Sequence, residues 1–336
     1  MDSTRRIIEH DFKADPSELR PNGIDLVIAG ATWDSRCRRV LEMNWGDGFD
    51  ESLLVTYFDQ GKTGRTVENA EFLRARLEKV ARRSAQSVLI DSSDVNGSWA
   101  IAKRSLVETY LRVGRPLSVL VDVNSVPRFI SLALLGYGAR SGVISEFYAS
   151  YTAAAHYDPT DASTETKFTH GQWLPISIAP LGTGAPPSSR SHLIVSAGFE
   201  GTNTRRLVNA LEPDRISLAI PTGVSAENDR TSLRVNSVLA DEYLLDADAV
   251  ITCPVLDIRA TIRALQPLAS PRLGSGATST TEYASFLLCG PKTVSLAMAV
   301  VSLDTPISQV YYPSPDRHAE MNVTDSLGTL LVGVRL

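Results

Sequence analysis

Tyr283–Tyr312, YASFLLCGPKTVSLAMAVVSLDTPISQVYY, decides the fold class. Ser285–Leu288 reads as a buried strand, Cys289-Gly290-Pro291-Lys292 as a turn, and Thr293–Leu303 as an apolar helix. A second strand then ends in Tyr311 and Tyr312. A short apolar run closed by Gly-Pro, followed by Ala, Leu, Met and Val at helical spacing, is the pattern of a βαβ unit. The turn of such a unit lies at the carboxyl ends of the strands, where doubly wound folds bind ligands. Leu117–Tyr151, LSVLVDVNSVPRFISLALLGYGARSGVISEFYASY, repeats the pattern. Its strand ends in Asp122, its turn is Asn124-Ser125-Val126-Pro127-Arg128, and its second strand carries Tyr148 and Tyr151.

Outward from these two units, strands alternate with helices of 10–15 residues. This predicts an α/β chain of two tandem Rossmann-like lobes with mostly parallel sheets. Residues 1–22 read as a polar N-terminal arm, 23–181 as the first lobe, 182–191 (GTGAPPSSRS) as a linker, and 192–336 as the second lobe. Leu330–Val334 would be the last strand of the second lobe. AGATWDSRCRRVL and SAGFEGTNTRRLV align as strand, turn and helix with an Arg-Arg pair, and the offset between matching elements stays near 160–170 residues. These matches point to an internal duplication; the alternative is that any two Rossmann-like domains share this order.

Composition bounds the function. The chain has 336 residues, 43% hydrophobic and 21% charged, which fits a globular protein. A net charge of −5 argues against nonspecific coating of nucleic acid, which needs a basic face. The start MDSTRRIIEHDF has no apolar signal region, and no uninterrupted apolar run reaches membrane-span length. The three cysteines, Cys37, Cys253 and Cys289, have no CxxC spacing, as expected of reduced thiols in a cytoplasmic protein. The five histidines are too scattered for a metal-ligand pair.

The candidate chemistry sits at the strand ends. Asp34, Asp59, Asp91, Asp94 and Asp122 can hold ribose hydroxyls or Mg²⁺, or can cap the helices that follow. Asp94 fits a cap; Asp122, against the repeated motif, fits a ligand role. Ser125 and Arg128 in one turn, and Gly290 and Lys292 in the other, suit a phosphate: a small residue, helix N–H groups and a cation. Thr32-Trp33-Asp34 and Gly198-Phe199-Glu200 occupy the equivalent first turn of each lobe. They offer an aromatic plane beside a carboxylate, a reasonable purine site, or else aromatic plugs for the sheet end. Tyr311 can line the same pocket. His156 and His318 are candidate general bases. Neither lobe carries GxGxxG or a P-loop, which disfavours a dinucleotide redox cofactor.

The unit CGPKTVSLAMAVV followed by Tyr311-Tyr312 resembles the core motif of CARF domains, in which a strand runs into a Thr-Gly-Gly-Thr-Lys type of turn before an apolar helix. LVDVNSVPRFISLALL is similar to the variant of that motif with a leading acid and a closing Arg. Two such lobes resemble the SAVED arrangement, a fusion of two CARF-like halves. The resemblance implies binding of a cyclic oligonucleotide messenger in bacterial antiviral defence, with ring cleavage in some members. It implicates Asp122, Asn124, Ser125, Arg128, Cys289, Gly290 and Lys292, with Thr32, Trp33, Gly198 and Phe199 as the second wall. Cys289, Pro291 and Pro127 depart from the usual turn. The expected reading is a nucleotide-type sensor acting through a separate effector or self-assembly. The alternatives are a nucleotide-processing hydrolase on the same scaffold and a non-catalytic interaction subunit.

Overall fold

The computed structural model describes residues 2–58, 64–91, 93–158, 169–184, 189–273, 281–307, 309–315, 317–318 and 322–336. The chain divides into two compact units: Arg6–Thr160 with Glu320–Leu336, and Asp161–Ala319 with Met1–Arg5. They are called the first and second lobes below.

In the first lobe, five strands run parallel: β2 (Leu26–Gly30), β3 (Phe49–Tyr57), β4 (Ala81–Ile90), β5 (Leu117–Asp122) and β6 (Ile144–Asp158). Their spatial order is β6-β5-β2-β3-β4. A 3₁₀ segment, Ser35–Glu42, follows β2 where an α-helix was expected. Helix α1 (Gly64–Val80) follows β3, α2 (Val95–Val113) follows β4, and α3 (Arg128–Ser141) follows β5. Crossovers between parallel strands turn right-handed. Helix α1 therefore packs with the 3₁₀ segment and α2 with α3, on opposite faces. Helix α3 lies between the sheet and α2, so it is buried nearly all round, from Phe129 through Gly136.

The second lobe repeats this plan with β9 (Arg190–Ser196), β10 (Arg215–Thr222), β11 (Val250–Pro254), β13 (Thr281–Leu288) and β14 (Val310–Ser314), parallel and ordered β14-β13-β9-β10-β11. Helices α4 (Gly201–Leu211), α5 (Ala226–Glu242), α6 (Ile258–Ala269) and α7 (Lys292–Asp304) connect them. Helix α7, the helix expected at Thr293–Leu303, is covered by α6 and buried from Thr293 to Ser302. Helix α6 runs to Ala269 through Pro267. Short strand β12 (Arg272–Leu273) pairs with β13, and β7 (Thr169–His170) with β15 (Arg317–His318).

The sixth strand of each sheet departs from the tandem reading. Strand β16 (Asn322–Arg335) does not join the second lobe; it pairs antiparallel with β6 over nearly its whole length, and its other edge takes β1 (Ile7–Lys13). Ile7–Lys13, within the residues read as an arm, thus form an edge strand. In the second lobe the antiparallel place beside β14 is filled by β8 (Leu174–Ser177), from the segment assigned to the first lobe. Arg190 and Ser191, read as linker, already belong to β9. The second lobe is therefore inserted between the fifth and sixth strands of the first. The physical reason is burial on both faces. Leu330, Leu331, Val332 and Val334 are all at most 1% exposed, which requires a strand flanked on both edges and covered on both faces.

No helix among the described residues is long and apolar enough to cross a membrane.

Burying four such side chains contributes about 1.5–3 kcal/mol each, comparable in sum to the whole net stability of a domain, ~5–15 kcal/mol. Deleting residues 322–336 is expected to unfold the first lobe while the second persists. Circular dichroism and limited proteolysis should then show a resistant core from within 169–318; full retention of the first lobe would refute the topology.

Candidate functional site

Strand order reverses between β2 and β5 in the first lobe and between β9 and β13 in the second. These switch points are where open α/β sheets place ligands. Each is bounded by the turn after the first strand and the turn after the fourth.

In the first lobe the two turns are laced together. The Gly30 N–H donates to Ser125 Oγ at 2.8 Å, and the Ser125 hydroxyl donates to the Asp122 carboxylate. Asn124 donates to the same carboxylate through its backbone N–H (3.1 Å) and its side-chain amide (3.2 Å). The Tyr57 hydroxyl donates to the Ser125 carbonyl. Approach is so close that a Cβ on Gly30 would fall 2.6 Å from the Ser125 carbonyl oxygen. Asp122, expected at the ligand, is 1% exposed, and its carboxylate closes its own turn.

The other acids are likewise engaged. Asp34 caps the 3₁₀ segment through Arg36 N–H and takes the Arg36 guanidinium on both oxygens, at 2.6–3.1 Å. Asp94 caps α2 at Gly97, as expected, and Asp91 holds Ser93. Asp59 lies outside the described residues. No group of three or more His, Cys, Asp or Glu that could hold a metal occurs among the described residues.

In the second lobe the fourth turn is only Cys289-Gly290-Pro291. The Gly290 N–H donates to Ser196 Oγ at 3.1 Å. A Cβ on Gly198 would lie 2.4 Å from the Cys289 carbonyl oxygen, and one on Gly290 would lie 2.3 Å from that of Ala197. Glu200, expected at the ligand, is buried; it accepts from Thr169 N (3.2 Å) and Thr169 Oγ1 (2.7 Å), with Trp173 Nε1 donating to that hydroxyl at 2.8 Å. Cys289 and Tyr311 pack against the apolar core of this lobe, and burial raises the Tyr311 phenol pKa. Trp33 and Phe199 are half-buried at matching positions.

Helices α3 and α7 start alike. Pro127 and Pro291 precede Arg128 and Lys292, neither helix has a side-chain cap, and neither first turn carries an acid. Helices α2, α5 and α6 are capped by Asp94, Ser225 and Asp257. In both switch-point helices a serine reaches back to the proline carbonyl at 3.2 Å, Ser131 to Pro127 and Ser295 to Pro291.

Sequence reasoning missed one pair of residues altogether. Asn69 on α1 donates to the Thr32 carbonyl at 2.6 Å, and Asn236 on α5 donates to the Gly198 carbonyl at 2.8 Å. Both amides are nearly inaccessible and hold the first turn in place from the second helix of their lobe. A buried Asn in an otherwise amphipathic helix, at the same offset in both halves, is the signal that would have found them.

Ser217, His192 and Glu282 superficially resemble a nucleophilic triad: His192 Nε2 is 2.9 Å from Ser217 Oγ and Nδ1 is 3.8 Å from Glu282. The polarity is wrong. Arg215 sits 2.8 Å from Nδ1 and can only donate, so Nδ1 accepts and Nε2–H donates to the serine. Ser217 is fully buried as well. Burial and the Arg215 charge hold the His192 pKa down at about 4. The thiols of Cys37 and Cys253 are pushed up by burial to about 12, which makes them structural. The side chains of His156 and His318 lie outside the described residues.

A cavity of about 430 Å³ lined by Asp2, Arg263, Gln266, Pro267 and Ser270 involves the carboxyl-terminal part of α6, away from these turns.

No family model and no curated protein matches the chain. Among solved structures, the cytoplasmic domain of a prokaryotic cation chloride cotransporter is similar at 8% identity, over 87% of this chain and 95% of that one, with a TM-score of 0.24. A likeness at that distance bears on neither ligand nor activity.

Removing the Asn69 or Asn236 amide leaves a buried carbonyl unsatisfied, which costs about 1–3 kcal/mol. Asn69→Ala and Asn236→Ala should each lower the denaturation midpoint accordingly. His192, neutral in the fold, favours unfolding where only the unfolded chain takes up its proton. Stability should therefore be full above pH 6.5 and fall by about 2–3 kcal/mol toward pH 4. Urea titrations of His192→Gln should lack that part of the decline.

Proposed function

We propose that the protein binds a nucleotide-type ligand, of the cyclic oligonucleotide class, at the carboxyl ends of its strands, and acts as a sensor or regulatory subunit of bacterial antiviral defence through a separate effector. The observation that carries this reading is the repeated Pro-Arg and Pro-Lys helix start at the two switch points. A helix N-terminus concentrates positive partial charge. A cation at the first position of each, with no acid in the first turn and no capping side chain, makes both helix starts suited to an anion.

The flanking turns supply the rest of such a ligand site. Trp33 and Phe199 offer half-buried aromatic faces one residue beyond the carbonyls held by Asn69 and Asn236. The carboxylates that a hydrolase would use at these turns, Asp34, Asp122 and Glu200, are engaged within the protein, which favours binding over turnover.

Native mass spectrometry after incubation with linear and cyclic di-, tri- and tetranucleotides tests the proposal. The expected result is an intact ligand retained by the protein, lost in Arg128→Ala/Lys292→Ala while the circular dichroism spectrum is kept. Release of cleaved product would replace the sensor by an enzyme, and no retention of any nucleotide would overturn both.

A further inference from the structure

We propose that the open edge of strand β4 pairs antiparallel with β4 of a second copy of this chain, about a two-fold axis at Gln86, so that the first-lobe sheet runs on through a homodimer. The inference does not depend on the nucleotide reading, and its test is separate.

Among the described residues no strand lies beyond β4, the last in the order β6-β5-β2-β3-β4. The other edges of the two large sheets are blunted by the means that keep edges from pairing. Strand β8 has four residues and carries Pro175, β11 has five and ends at Pro254, and β1 bears Glu9, Asp11 and Lys13. Strand β4, ARRSAQSVLI, has ten residues and no proline, and from Ser84 to Ile90 it has no charge. Leu89 on this strand is 56% exposed, and Ala85 and Ser87 are exposed with it.

The hydrogen bonds to β3 fix which backbone groups face outward. Val88 and Ile90 turn their carbonyls toward β3, where Thr56 Oγ1 donates to the first at 3.0 Å and the Phe58 N–H to the second at 2.9 Å. Alternation along the strand then turns the N–H and C=O groups of Ala85, Ser87 and Leu89 to the open side.

An antiparallel partner must meet outward residues with outward residues, so in self-pairing the numbers of two facing residues sum to an even number. With the axis at Gln86, Ala85 faces Ser87, Arg83 faces Leu89 and Arg82 faces Ile90 of the second copy. The cations gather at one end of the strand and the aliphatic residues at the other, so antiparallel pairing sets no arginine against another. The Arg83 stem covers the exposed Leu89 side chain, while Arg82 keeps Asp50 of its own chain at 3.1 Å. The two Gln86 amides meet across the axis, where each donates to the other. An axis at Ala85 would set Leu89 against Ala81 and two methyl groups at the centre, losing both contacts. The self-complementary pattern is what selects a second copy as the occupant.

Sedimentation velocity of the full chain tests the pairing, with a concentration-dependent dimer expected at micromolar protein. Ser87→Pro removes an outward N–H without touching a bond to β3, and should give a monomer with an unchanged circular dichroism spectrum. Leu89→Glu sets a carboxylate opposite Arg83 of the second copy and should tighten the dimer several-fold. Leu89→Lys sets like charges there and should weaken it by a similar factor. These opposed responses decide the matter even where Ser87→Pro fails to fold. Gln86→Cys should form an intermolecular disulfide with oxidised glutathione, since Cα atoms of a non-hydrogen-bonded pair lie about 4.5 Å apart, within disulfide reach. The unsubstituted chain, with Cys37 and Cys253 buried, is the control. A dimer indifferent to the charge at Leu89, or a disulfide from Ala85→Cys in preference to Gln86→Cys, would overturn the proposal. So would a chain that stays monomeric at every concentration, which would leave the edge to an extended segment of another protein.

Discussion

Everything at the strand ends depends on one short approach: a glycine N–H donating to a serine hydroxyl across the point where strand order reverses. In the first lobe the donor is Gly30 at the end of β2 and the hydroxyl is Ser125 in the fourth turn. In the second lobe the same bond runs the other way, from Gly290 in the turn to Ser196 at the end of β9. Either arrangement lets two backbones come closer than a Cβ would allow and sets where the following helix begins. The exchange of donor and acceptor has a consequence. Placing the serine in the turn brings it within reach of the Asp122 carboxylate, whereas placing it on the strand lets the strand end accept from the turn.

The repeated plan of the two sheets also bears on the departure from tandem order. Each five-stranded parallel sheet ends in a long or exposed edge beside its fifth strand, and an unpaired edge of that kind invites aggregation. Both lobes solve this with an antiparallel sixth strand, but each takes it from the chain that follows the other lobe's fifth strand: β8 comes after β6 and joins β14, and β16 comes after β14 and joins β6. The outcome is that the second lobe is inserted into the first. Strand β1 then covers the outer edge of β16.

The sequence showed the candidate site unevenly, for identifiable reasons. The Gly-Pro and Val-Pro turns, the cations after them and the buried helices α3 and α7 were legible because local chemistry dictates them: proline before a helix start, then apolar residues at every position. Asp34, Asp122 and Glu200 were legible as strand-end acids but not as engaged ones. Their partners, Arg36 excepted as a near neighbour, arrive through loop geometry or from a distant segment, as Thr169 does for Glu200. Asn69 and Asn236 escaped notice because a mid-helix asparagine means nothing until the carbonyl it serves is in view.

By itself, then, the sequence determined the alternation of elements, the repetition of one βαβ plan, and the positions where helices begin beside the switch points. Periodicity and turn chemistry act over a few residues and are written locally. Only the tertiary structure decided which sheet owns β1, β8 and β16, because strand partnership is set by which edge is open and which faces are covered. It alone also decided which acids are consumed internally. Hydrogen bonds between residues as far apart as Gly30 and Ser125 exist only once the backbone has brought them together.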